Sequence, residues 1–212
     1  MKNPFRFLPC LAFLILLSYQ FCNLSPVATA KSGQNQTGRT FDIDSRLSRV
    51  EFTVQRGKHI GAVGSFSGLK GTIKYNGKSL AKSRVSATIP LNTINTAVNV
   101  RDTDLIGPKY FDCGRFPNAK FDSTSLSASR GKYTLVGTFS LHGVKRPVRV
   151  ILKGLPYVRS ESGKSVFKVV GTATLSQEDY GLSLLKLHPD GAVRINKNIE
   201  IKVTIIATAP AK

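Results

Sequence analysis

Apolar and polar residues alternate with a period of two along most of this chain, and that period restricts it to strands with one buried face. Val50, Phe52 and Val54 alternate with Arg49, Glu51 and Thr53. The pattern recurs in Val85, Ala87, Ile89 and Leu91, in Tyr133, Leu135, Phe139 and Leu141, and in Val148, Val150 and Leu152. It returns in Phe167, Val169, Ala173 and Leu175 and closes with Ile199, Ile201, Val203 and Ile205. Antiparallel sheets with one face on a core carry this alternation.

Turn residues punctuate the runs. Asn76-Gly77, Arg130-Gly131, Ser162-Gly163 and Pro189-Asp190-Gly191 each separate two of them, with glycine supplying the positive φ of a tight turn. Hairpins in series at this spacing give about eight strands, in a barrel or a sandwich. Runs of about nine residues or more are long for a sandwich strand. Closing the sheet also removes the edges that long strands would expose. The expectation is an all-β fold, a closed antiparallel barrel, as a single domain over residues 39–208.

The N-terminus reads differently. Lys2 and Arg6 flank the start of an apolar run over residues 7–17, and Ala28-Thr29-Ala30 offers a small-residue cleavage site before Lys31. Residues 1–30 are expected to be a secretory signal peptide cleaved after Ala30, placing the protein in the periplasm or outside the cell. The run is shorter than the ~20 residues a membrane span needs. Residues 31–38, small and polar, read as a disordered lead-in. Cleavage removes Cys10 and Cys22 and leaves Cys113 alone, so the domain must be held by its core. A lone Cys113 reads as a small packed residue.

The chain carries 31 Lys and Arg against 12 Asp and Glu, a net charge of +19, of which +17 remains without the signal peptide. With 41% hydrophobic residues this is a globular composition and not a disordered polycation. The excess calls for an acidic partner, such as anionic lipid, pyrophosphate or nucleic acid. Arg49, Lys74, Arg149, Lys168 and Lys202 fall at outward strand positions. No interleaving of aromatic and basic residues marks a nucleic-acid surface, so nucleic acid is not the expected partner.

Residues 92–117 break the alternation. A short helix is expected over 100–106, with Asn99 as its cap and Asp102 in its first turn, ended by Gly107-Pro108. Long connections in compact domains tend to be functional, and this one suits a lid at one end of a barrel. Here the sequence resembles a known family. Arg101-Asp102-x-x-Leu105, Tyr110-Phe111-Asp112, Phe116-Pro117 and Phe121-x-Ser123 are similar to the central motif of the YceI-like family of exported lipid-binding proteins. Thr93-Ile94-Asn95-Thr96, the hairpin of residues 141–148 (LHGVKRPV), residues 175–182 (LSQEDYGL) and the opening Phe41-Asp42-Ile43-Asp44 match in order. The resemblance runs over about residues 41–207. It departs from the family pattern at Asp104, where a histidine is usual, and near Gln177-Glu178, where an arginine is usual.

The resemblance implies a lipocalin-like eight-stranded barrel with a capping helix, holding an isoprenoid or another long-chain amphiphile for carriage, storage or stress protection. Its apolar lining would be Phe52, Val54, Phe66, Ile89, Phe111, Phe121, Leu135, Phe139, Val150, Leu152, Tyr180 and Leu182. A polar mouth would draw on Arg101, Asp102, Tyr110 and His142. Read from the residues alone, alternating Phe and Val are core, and Arg101 with Asp102 equally fits a structural pair fixing the helix to the wall. His142 before Gly143 equally fits a structural turn.

Catalytic and metal patterns are absent from the sequence. His59, His142 and His188 lack ligand spacing, and no G-x-S-x-G elbow occurs. Asp42 with Asp44, and Asp102 with Asp104, are short Asp-x-Asp pairs with nothing to complete an active site. A binding protein without cofactor is therefore expected, not an enzyme. Its partners would be a long-chain lipid, an anionic membrane surface, and a second copy if a barrel edge pairs. The alternative is a basic exported module that binds polyanions or anionic membrane with its barrel filled.

Overall fold

The computed structural model describes residues 38–161, 163–182 and 195–210. Its strands are β1 (Arg39–Ile43), β2 (Arg49–Arg56), β3 (His59–Phe66), β4 (Lys70–Tyr75), β5 (Arg84–Pro90), β6 (Asn118–Ser129), β7 (Lys132–Leu141), β8 (Val144–Leu152), β9 (Tyr157–Glu161), β10 (Lys164–Ser176) and β11 (Ile195–Pro210). A single α-helix among the described residues, α1 (Asn99–Ile106), lies between β5 and β6. All strand pairings are antiparallel, and β11 pairs along its length with β10, which closes the sheet on itself.

Three staves of this barrel are each made of two strands. Along one edge of β11, β2 pairs with the stretch Ile195 to Thr204 and β1 follows at Ala207 and Thr208. β3 runs beside β2, and β4 beside β1. β8 and β9 likewise follow one another along β10. Taken as staves, the sheet is the closed eight-stranded antiparallel barrel that the alternation and the resemblance implied.

The first break shows how a stave is interrupted without losing its ladder. The Asp44 carboxylate accepts from the Arg46 and Leu47 amides at 2.9 and 3.2 Å and turns the chain outward. The Ser48 hydroxyl donates to the Ile206 carbonyl and accepts from the Ile206 amide, both at 3.0 Å. It stands in for a missing backbone rung, so β11 keeps its partners.

The turns follow the expected chemistry at Arg130-Gly131 but not at Asn76-Gly77, where Gly77 is not at positive φ and residues 76–83, with a 3₁₀ turn at Leu80–Lys82, join β4 to β5. At Arg130-Gly131 both residues have positive φ, 48° and 74°, the two-residue hairpin geometry that matches strand twist. Asn76 opens a longer turn by accepting from the Lys78 and Ser79 amides at 3.1 and 2.9 Å. Ser162, Pro189-Asp190-Gly191, the expected signal peptide and residues 31–37 lie outside the described residues.

Two apolar clusters line the barrel and share Val85, Val169 and Val203 as packed neighbours. One gathers Phe41, Ile73, Phe66, Phe111 and Phe167; the other is Leu126, Leu135, Val150 and Leu152. The end carrying the β4–β5 and β6–β7 turns is plugged. Phe167 packs on Phe41 and Tyr75 with ring centroids 5.3 and 5.5 Å apart. Buried Arg39 donates to Ser165 Oγ at 2.5 Å beside them. The opposite end carries α1 and the turn after β10.

One local expectation is corrected. Asn99 is not the cap of α1 but its first helical residue. Val98 takes the cap position with no side-chain cap bond. The Asn99 carbonyl already accepts from Thr103 Oγ1 at 3.0 Å, within the first helical turn. The helix stops at Gly107-Pro108 as expected, and the amides of Phe111 and Cys113 bond back to the Leu105 and Ile106 carbonyls at 3.0 Å. These bonds satisfy end carbonyls that the helix itself cannot.

Candidate functional site

A cavity of about 560 Å³ lies inside the barrel, reaching from Tyr75 and Phe167 near the plugged end to α1 at the other. Period-two parity places its wall. Val50, Phe52 and Val54 of β2, Val148, Val150 and Leu152 of β8, and Ile201, Val203 and Ile205 of β11 all point inward. Every apolar residue expected on the lining is there: Phe52, Val54, Phe66, Ile89, Phe111, Phe121, Leu135, Phe139, Val150, Leu152, Tyr180 and Leu182. Ile73, Val85, Leu105, Leu126 and Val169 line it as well. Alternation marks such positions as inward but does not separate cavity wall from filled core.

The cavity stays open because several large side chains lie over glycines of the neighbouring strand. A Cβ on Gly64 would sit 2.4 Å from the Phe52 ring, and one on Gly137 would sit 2.6 Å from the Phe121 ring. A Cβ on Gly171 would sit 2.7 Å from Val150 Cγ1. These side chains lean along the wall into space that a Cβ would occupy, which leaves the axis of the barrel unfilled.

The connection from β5 to β6 forms the lid. Phe111 drops from it onto Phe66 at 6.0 Å, edge to face, and Phe66 packs on Phe52 at 5.5 Å. The expected polar mouth divides. Arg101 and Tyr110 line the cavity, as does Asp104. Asp102 turns away from it. Its carboxylate accepts from the Thr96 amide at 3.0 Å and the Thr96 hydroxyl at 2.5 Å. Arg101 donates to the same Thr96, from Nε to the hydroxyl at 2.8 Å and from Nη2 to the carbonyl at 2.9 Å. The pair therefore fixes α1 to the buried Thr96 strap. His142 does not line the cavity. It sits at positive φ, 51°, in the β7–β8 turn, with its ring edge-on to Phe116 at 4.7 Å.

The barrel wall has a sparsely bonded seam beside the lid. β3 pairs with β2 on one edge, while its other edge meets the strap through one bridge, in which Ser65 and Asn95 exchange amide–carbonyl bonds of 2.9 Å each way. Thr93 Oγ1 adds bonds to the Ser67 amide and carbonyl at 3.1 and 2.9 Å. Val98 and Val100 line the cavity at this end and are also 45% and 75% exposed. They form an apolar rim.

Two polar side chains face inward at the turn that follows β10. Gln177 and Tyr180 are 4% and 2% exposed and both line the cavity. Gln177 Nε2 donates to the Asn196 carbonyl at 3.1 Å, while Gln177 Oε1 and the Tyr180 hydroxyl have no hydrogen-bond partner among the described residues. Burial, with Asp179 adding to it against the opposing effect of Arg146, pushes the Tyr180 phenol up to about 12. Tyr180 also packs edge-on against Phe139 at 5.7 Å. Cys113 packs against the larger apolar cluster, and burial with nearby Asp112 pushes its thiol up. That environment disfavours the thiolate that reactivity needs. Among the described residues no group of three or more His, Cys, Asp or Glu side chains could hold a metal ion.

Outside, the surface is charged. Arg49, Lys74, Arg149, Lys168 and Lys202 are all exposed. An open groove across the outer faces of β2, β8, β10 and β11 is lined by Arg49, Glu51, Arg149, Thr172 and Lys202. Lys202 pairs there with Glu51 at 2.8 Å.

Fold and site together define a closed antiparallel barrel with an apolar internal cavity under a helical lid. The chain belongs to the YceI-like family: the model of the YceI-like domain matches residues 41–207. Among sequence relatives, a UPF0312 protein of Yersinia enterocolitica is 32% identical over 110 residues, 50% of this chain and 56% of the relative. This chain thus spans little more than half of that relative's length. A UPF0312 protein of Pseudomonas paraeruginosa is 27% identical over 146 residues, 68% of this chain and 75% of the relative. Among solved structures, BcnA of Burkholderia cenocepacia superposes with a TM-score of 0.64 at 18% identity, covering 78% of this chain and 99% of BcnA. A polyisoprenoid binding domain from Saccharophagus degradans, implicated in plant cell wall breakdown, superposes with a TM-score of 0.60 at 18% identity, covering 80% and 98%. These structures share the fold.

Proposed function

We propose that this protein is an exported binding protein that holds an isoprenoid or other long-chain amphiphile inside its barrel, without catalysing a reaction on it. The observation that carries this reading is the continuous apolar cavity of about 560 Å³ between the plugged end and the lid. A volume of this size falls within the ~300–1,000 Å³ of ordinary small-ligand pockets. Each methylene buried in it is worth ~0.8 kcal/mol, so a chain that fills it binds with no charged contact. The polyisoprenoid binding domain among the structural relatives supports an isoprenoid as the chain. The apolar rim of Val98 and Val100 suits passage of a chain between lipid and cavity. The basic exterior suits an anionic envelope surface. The amino-terminal signal supports an exported location.

Native mass spectrometry of the full chain, expressed with its own leader, tests the proposal. The expected spectrum shows a mature protein beginning at Lys31, with a long-chain amphiphile that leaves on collisional activation. A protein that carries no lipid and takes up none from vesicles, yet binds heparin in a salt-sensitive manner, overturns it in favour of the filled polyanion-binding module.

A further inference from the structure

Most polar side chains near the cavity are already engaged. Arg101 and Asp102 are committed to Thr96, and Ser83 Oγ accepts from the Asn76 amide. Gln177 and Tyr180 differ. Both line the cavity, both are more than nine-tenths buried, and each leaves an atom unpartnered among the described residues. A buried polar atom without a partner is costly.

The two belong to one turn. The Tyr180 amide bonds to the Gln177 carbonyl at 3.1 Å, and residues 178–180 form a single turn of 3₁₀-helix. In that geometry side chains three residues apart eclipse one another, which sets the amide and the phenol on one side. The Gln177 amide is oriented by its bond to the Asn196 carbonyl, which needs a donor and so takes Nε2. What faces inward is therefore an acceptor, Gln177 Oε1, beside a phenol that can donate.

We propose that Gln177 and Tyr180 form an internal subsite for a neutral hydroxyl group on the amphiphile held in the cavity, a reading that rests on the binding function proposed above. A hydroxyl completes both partners at once: it donates to Gln177 Oε1 and accepts from the Tyr180 hydroxyl. A hydrocarbon leaves both unsatisfied, and a ketone or ester carbonyl satisfies only the phenol. A phosphate oxyanion would meet the lone pairs of Gln177 Oε1 in an apolar pocket, where an uncompensated charge is expensive. The subsite thus selects a long-chain alcohol over its hydrocarbon and over its pyrophosphate.

The test measures binding of farnesol, farnesene and farnesyl pyrophosphate to the delipidated full chain and to its Tyr180→Phe variant. This substitution keeps the ring against Phe139 and removes no hydrogen bond found among the described residues, so the variant is expected to fold. The wild type is expected to prefer farnesol, and Tyr180→Phe to lower the farnesol-to-farnesene preference roughly three- to tenfold, through weaker farnesol binding, tighter farnesene binding or both. Equal binding of farnesol and farnesene by the wild type overturns the subsite and leaves the cavity function standing. So does an unchanged preference in the variant, or tighter binding of the pyrophosphate than of the alcohol. A wild type that binds none of the three removes the cavity function and the subsite together.

Discussion

Tyr180 ties the stability of the barrel to its site. Its phenol is 2% exposed, and burial pushes it from the ordinary value of 10.0 up to about 12. Between those values the unfolded chain loses the proton while the folded chain keeps it. The stability it contributes is therefore complete below pH 10 and is lost as pH rises toward 12, by on the order of 1 kcal/mol for each pH unit. Denaturation midpoints measured on both sides of pH 10 are expected to show this fall, and Tyr180→Phe to flatten it. Tyr75, which burial also pushes up, retains a share of the slope. Gly64 offers a second test at this scale. In Gly64→Val the new side chain meets the Phe52 ring, at 2.4 Å from the Cβ alone, and drives it into the cavity. The expected cost is about 1–3 kcal/mol, read as a lower Tm together with reduced uptake of farnesol. Residues on the strands were legible in the sequence for a plain reason. Parity along a strand assigns Phe52, Val150 or Leu152 to the inner face, whatever the rest of the chain does. Gln177 was not legible as a lining residue because parity ends with β10, and its orientation depends on the Asn196 carbonyl across the turn.

Among the elements, α1 with its strap was the least legible. Its place between β5 and β6 could be read from the loss of alternation, but not which partners its charged residues would choose. Asp102 and Arg101 both converge on Thr96, a residue whose backbone and hydroxyl offer donor and acceptor together. Asp102→Ala is expected to free the strap, at a cost of about 1–3 kcal/mol for the donors left buried. Hydrogen exchange in residues 99–106 should speed up. The farnesol-to-farnesene preference should not change, as it would if Asp102 bound a head group. The divided staves were hidden for a different reason. The apolar rhythm continues across each break, since Ile43 and Val50 both face the core on either side of the Asp44 turn. The eight-stranded count therefore survives reading from sequence, while the division into shorter strands depends on side-chain substitutes such as Ser48.

For the molecule as a whole, the net charge of +19 first suggests nucleic acid. The structure places its strand-borne part, buried Arg39 apart, on the outer face of a barrel whose inner face is apolar, with Arg149 outside and Val150 inside on the same strand. Inside and outside can thus serve different partners.

The single bridge between Ser65 and Asn95 bears on time and not on affinity. It is a weakly bonded seam in the wall, and opening it requires breaking far fewer bonds than unfolding the barrel. Entry and exit of a bound chain are then governed by a local fluctuation there, and residence time is decoupled from how well the cavity fits its contents. Residues that exchange both backbone bonds have Cα atoms about 5.5 Å apart, within the range a disulfide spans. Ser65→Cys combined with Asn95→Cys should therefore stitch the seam. Stopped-flow measurement of farnesol release is expected to slow roughly tenfold or more on oxidation and to recover on reduction, with the equilibrium constant unchanged.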